Sequence, residues 1–277
     1  MSFIHLAEPQ RANGGWPILA LGFRPFFLLA AILAAAAVPL WLLIYQGSLE
    51  PVSVLPPTIW HGHEMVFGFA VAVIAGFLLT AASNWTGRRT ATGAGLGALA
   101  GLWIAARVAL IVPGVPAWLA IGLDVAFLPI LAIVLAIPLI ATGNRRNLVF
   151  PVVLTVLGLI NLAIHLGAIG TIDWDPSRGL RIAIDLVLLM IGVLGGRVIP
   201  SFTKNALPHA KVNPCPKASV LALASLAAVV LADMATDNAT IIGSVALAAG
   251  LINVLRMRGW GTFATARTPI LWILHVG

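Results

Sequence analysis

A few residues capable of chemistry stand out in a chain that is otherwise almost wholly apolar. The stretch IWHGHEMVFGFAVAVIAGFLLTAASNW sets His61, His63 and Glu64 at the head of a long hydrophobic run. Much later in the chain, NLAIHLG places Asn161 and His165 four residues apart in a second such run. Imidazoles in such settings ligate metal ions, relay protons or hydrogen-bond carbonyls. Helical residues two apart point about 200° away from each other, so His61 and His63 cannot share one ion if both are helical. His61 and Met65 share a helical face and form an N/S pair of the kind that suits copper. His165 shares its face with Asn161. No Glu-x-x-His or His-Glu-x-x-His motif occurs, which excludes the standard di-iron and zinc-protease chemistries. Cys215 is the single cysteine, so neither a disulfide framework, a Cys-x-x-Cys pair nor covalent c-type haem can be built.

The elements that must position these groups are membrane helices. Of 277 residues, 60% are hydrophobic and only 9% charged, with a mean hydropathy of +1.04. Those values lie outside the soluble range and predict an all-α, polytopic transmembrane bundle forming a single membrane domain over residues 1–277. A bilayer core takes about 20 apolar residues as helix. Spans are expected near 24–45, 60–83, 93–112, 117–140, 148–170, 180–200, 217–232 and 240–255. A partial ninth at 269–277 is too short to cross, which reads as a fragment of a longer protein. The first run lacks a cleavage site and reads as a retained anchor.

Charge sets the orientation. Of 16 basic residues, all but Arg107, Arg178 and Arg181 fall in or beside alternate loops, from Arg11 and Arg24 to Arg267. The opposite loops hold Glu50, Asp173, Asp175, Asp233 and Asp237. By the positive-inside rule the N-terminus is cytoplasmic and the protein is multi-pass in a bacterial inner membrane. The net charge of +7 thus reports topology, and nucleic acid is not an expected partner; membrane lipid is.

Each polar residue then acquires a height. His61, His63, Glu64, Arg107, Asp124, His165 and Asp185 all fall in the outer half of the membrane. Charged residues at a span centre cost about 2.5–3.5 kcal/mol on insertion scales, so they usually pair or serve a function. One level holding so many suggests a polar chamber near the periplasm. Simpler roles remain for each. His61 and His63 could be wetted interfacial residues, and His165 could merely hydrogen-bond Asn161 or a carbonyl. Arg107 and Asp124, on adjacent spans, read as a buried pair; Arg181 and Asp185 read as an i, i+4 ion pair.

The segments LGFRPFFLLA, WHGHEMVFGFAVAVIAGFLLTAASNWTG, LDVAFLPI, NRRNL and GGRVIPSFTKN, in that order between residues 20 and 205, resemble the NnrS family of bacterial membrane proteins. The resemblance implies a haem- and copper-containing inner-membrane protein linked to denitrification and to tolerance of nitric oxide and nitrosative stress. Haem without a cysteine anchor would be non-covalent, of b type. Depth and chemistry make His63 and His165 the candidate axial haem ligands, and His61 with Met65 the copper candidates. Glu64, Asp124, Asn161, Arg107 and Asp185 would support them through hydrogen bonds and charge. Nitric oxide or a related small molecule would be the partner, with a respiratory electron-transfer protein as a further one; whether the chain is an enzyme stays open. Two other readings compete: a proton-coupled secondary transporter using the same outer-side His/Glu/Asp cluster, and a non-enzymatic membrane partner of respiratory proteins.

Overall fold

The computed structural model describes residues 16–49 and 55–276. Arg11, Glu50 and Gly277, which entered the reading above, lie outside them. The described chain is helical, with no strand among the described residues. In order come α1 (Phe23–Tyr45), α2 (Pro57–His63), a π-helical segment (Glu64–Ala70), α3 (Val71–Thr86), α4 (Gly93–Ala109), α5 (Ala117–Ala141), α6 (Val149–Ala168), α7 (Pro176–Ala206), α8 (Pro216–Ala235), α9 (Ala239–Arg256) and α10 (Pro269–Val276). Each expected span has its helix. Seven stretches are long and apolar enough to cross a membrane, with Pro57–Thr86 counted as one. At 17 residues α4 is shorter, about 26 Å long against a hydrocarbon core of about 30 Å.

Local chemistry explains the boundaries. Proline opens α2 and α8, where its missing N–H is no loss and its φ is already helical. Asn238 caps α9, its side chain accepting from the amides of Thr240 and Ile241 at 3.0 and 3.3 Å. Gly87 ends α3 with φ 64°, a left-handed turn that a side chain would resist. Inside the second span the ladder switches from α to π geometry over EMVFGFA. Such segments are rare, they shift the face that later residues present, and they concentrate at functional sites.

The chain divides into two compact units, Met1–Leu180 and Arg181–Gly277, with the boundary inside α7. In the first unit α1 packs on α3, and α5 packs on α3, α4 and α6. Small residues allow the close approach: a Cβ on Gly76 would lie 3.1 Å from the Phe23 Cα, and one on Gly158 would lie 3.4 Å from the Pro129 Cδ. Phe26, Leu79, Leu128, Leu131 and Leu154 are fully buried between these helices, while Ile133, Ile137 and Leu159 stand exposed, as lipid-facing residues do. In the second unit α8 lies along α9. Arg256 at the end of α9 donates to the Gly192 carbonyl of α7 at 2.9 Å and to Ser219 of α8 at 3.3 Å, tying three helices together.

Candidate metal centre

Five elements of the first unit bring a polar cluster together. His63 is the last residue of α2 and Glu64 the first of the π segment. Arg107 comes from α4, Asp124 from α5, and Asn161 and His165 from α6. Burial is nearly complete: His63 and His165 are 0% exposed, Asn161 1%, Glu64 2%, Asp124 3% and Arg107 7%. Ionic groups this deep persist only when paired and hydrogen-bonded.

Arg107 supplies the pairing. Its Nη1 donates to Glu64 Oε1 at 2.9 Å, and its Nη2 pairs with Asp124 Oδ1. One guanidinium thus bridges two carboxylates from two helices. With neutral imidazoles, two carboxylates against one guanidinium leave one formal negative charge, which a cation would offset.

The hydrogen bonds then decide the tautomers. Asn161 Nδ2 donates to Asp124 Oδ2 at 2.7 Å, which turns its oxygen toward His63. His63 Nε2 must therefore donate to Asn161 Oδ1, at 2.8 Å, with Asp124 Oδ2 also 3.2 Å away. His165 Nε2 donates to the same Asp124 oxygen at 2.8 Å. The two imidazole rings meet edge to face with centroids 5.0 Å apart. On its other side His63 Nδ1 stands 3.4 Å from Glu64 Oε1. Two buried polar atoms remain without partners, His165 Nδ1 and Arg107 Nε; an unmet buried group costs about 1–3 kcal/mol.

This donor set fits a metal ion. Among the described residues His63, Asp124 and His165 form a group whose ligand atoms all lie within 4.8 Å of one another. Two imidazoles and one carboxylate suit copper, zinc or non-haem iron. Ligation through both Nε2 atoms requires the Nδ1–H tautomers, and Glu64 already stands where it would accept from His63 Nδ1. A porphyrin does not fit between the same two rings. Both Nε2 atoms converge on one oxygen, with Asp124 and Asn161 filling the space between, whereas axial haem ligands must face each other across a macrocycle. The His63–Asp124–His165 group is compatible with a single metal ion.

The other expected residues are distributed differently. His61 stacks on Trp41 of α1, with centroids 4.2 Å apart and planes at 20°, and its Nδ1 is buried without a partner. Its shared face with Met65 presupposed an uninterrupted α-helix; the π turn beginning at Glu64 removes that premise. Asp185 belongs to the second unit and stands beside Asp233 there. Arg181 reaches across to Asp233 at 3.1 Å and to Asp237 at 3.5 Å, so its interactions extend well beyond an i, i+4 pair. The expected Arg107–Asp124 pair is present. The Glu64–Arg107 bridge and the Trp41 stack were not anticipated; an arginine one membrane helix away at the right depth was the available signal for the first.

No curated protein and no solved structure matches this chain. The family model described as "NnrS protein" matches residues 17–277, nearly the whole sequence. The buried His63–Asp124–His165 group sits within that match, and the chain belongs to the NnrS family.

Proposed function

We propose that this protein is a metal-binding, multi-pass protein of the bacterial inner membrane that acts in the response to nitric oxide and nitrosative stress in connection with denitrification. The observation that carries the reading is the convergence of His63, Asp124 and His165, fully buried, on one point in an apolar helical unit. Family membership supports the link to nitric oxide and favours copper as the ion. When bound, such an ion supplies one-electron redox chemistry and a coordination site for a small ligand.

The chain's own groups have separate tasks. Asp124 orients His165 and, through Asn161, His63, so that one carboxylate holds both rings. Glu64 backs the far nitrogen of His63. Arg107 pairs with both carboxylates and holds them in place without occupying a ligand position. The surrounding apolar helices exclude bulk water, while uncharged nitric oxide can enter through lipid. The test is metal analysis of the purified full chain: about one ion per chain is expected in the parent, and none in a His63→Ala/His165→Ala double variant. A parent chain without bound metal, supplied with copper during expression, overturns the reading.

The alternative, a proton-coupled transporter using the same His, Glu and Asp cluster, predicts proton-driven flux without bound metal, so the same metal analysis separates the two readings.

A further inference from the structure

At the end of the first unit that the positive-inside rule assigns to the cytoplasm, two short loops each carry an arginine doublet. Arg88 and Arg89 follow the left-handed Gly87 that ends α3. Arg145 and Arg146 open a 3-10 turn (Arg145–Asn147) between α5 and α6. Two contacts draw these loops together. Asn144 Nδ2 donates to the Trp85 carbonyl at 3.3 Å, and the Trp85 ring stacks on Phe150 of α6 with centroids 5.4 Å apart and planes at 21°. Arg145 is the chain neighbour of Asn144, and Arg88 follows Trp85 closely enough that their Cα atoms are about 11 Å apart at most. Each loop is also pinned within itself. The Arg88 amide donates to Thr86 Oγ1 at 3.2 Å, Thr90 Oγ1 donates to the Leu79 carbonyl at 2.7 Å, and Asn147 Nδ2 donates to Asn144 Oδ1 at 3.0 Å. All four arginines are exposed, and none of them forms an ion pair among the described residues.

We infer that the two doublets form a headgroup site for an anionic phospholipid carrying two phosphodiester groups, one phosphate to each doublet. Topology alone asks only for positive charge on this side, in any arrangement. It does not ask for two doublets tied to each other through Asn144. A guanidinium fork matches the oxygens of a phosphate bidentately, and basic sites between helices on this side of a membrane suit such headgroups. With no carboxylate paired to these arginines, the anion must come from outside the described residues. A lipid with one phosphate engages one doublet only, and free phosphate lacks the acyl chains that hold a headgroup at this depth. The inference does not depend on the metal reading.

The full chain, purified in detergent, is titrated separately with diphosphatidylglycerol, phosphatidylglycerol, phosphatidylcholine and inorganic phosphate, and bound molecules are counted by native mass spectrometry. One diphosphatidylglycerol per chain should be retained, with phosphatidylglycerol held roughly tenfold more weakly and the other two not retained. Arg145→Gln/Arg146→Gln should lower diphosphatidylglycerol affinity roughly tenfold or more. Asn144→Ala keeps all four charges but unties the loops, and should lower it about threefold or more; it reads the proposal if the double variant does not fold. Undiminished binding in either variant, or phosphatidylglycerol or inorganic phosphate held as tightly as diphosphatidylglycerol, would overturn the inference.

Discussion

Each compact unit pairs an arginine with two carboxylates, yet the two arrangements differ in kind. In the first unit the Arg107 side chain is 8% exposed and its partners Glu64 and Asp124 are each 2% exposed. In the second, Arg181 is 44% exposed and pairs with a buried Asp233 and a largely exposed Asp237. The histidines divide the same way. His275 has both ring nitrogens satisfied by hydroxyls, Thr203 and Thr262, each at 3.0 Å. His165 has one nitrogen on Asp124 and the other buried with no partner. Both sets tie helices together, but among the described residues only the first brings two imidazoles and a carboxylate within 4.8 Å of one another. The same residue types thus pair across helices in one unit and, in the other, form a group that could hold a metal ion.

The largest expected effect tests that contrast through the two arginines. Arg107→Met should cost about 3–5 kcal/mol of stability, because it strands two buried carboxylates. Arg181→Met should cost about 1 kcal/mol or less, since water screens its pairs. Unfolding of both variants in the same detergent, followed by thermal or denaturant titration, measures the difference. Equal losses would erase the distinction between the units.

Next in size is the support that Glu64 gives His63. Glu64→Gln should weaken metal binding about 10–100-fold, whereas Asp185→Asn in the second unit should leave it unchanged. Competition against a chelator of known affinity reads both. A smaller effect is expected at Gly68, where a Cβ would lie 2.5 Å from Leu33 Cδ2 and 3.0 Å from Glu64 Oε2. Gly68→Ala should destabilise the chain by about 1–3 kcal/mol through crowding of the ion pair, detectable as a lowered melting temperature. The smallest effect belongs to His61: His61→Ala should leave metal content unchanged, and loss of metal would return the ion to the neighbourhood of His61 and Met65.

Helix number and order were legible because the apolar runs and their Pro-, Gly- and Asn-rich breaks are unmistakable in a chain this hydrophobic. Part of the site was legible too. Positive-inside topology gives each residue a height, and that placed His63, Asp124 and His165 at one level. Height is only one coordinate, however. Asp185 was expected at the same level but lies in the second unit beside Asp233, because depth says nothing about which way round a helix a side chain points. The π segment was invisible to periodicity, since seven residues of EMVFGFA read equally well as α-helix. That segment takes in Met65, the expected copper partner of His61, and carries Glu64, whose bridge to Arg107 has no motif of its own in the sequence. Haem was implied by resemblance alone, and the side chains between His63 and His165 leave it no room there.

The most direct test of the central claim is X-ray absorption at the metal edge, with metal quantification, on the purified full chain and on His165→Ala. The account predicts one ion per chain in a shell of nitrogen and oxygen donors without sulfur, and a metal content in His165→Ala reduced to background. A sulfur ligand, or full metal content retained in His165→Ala, would contradict it.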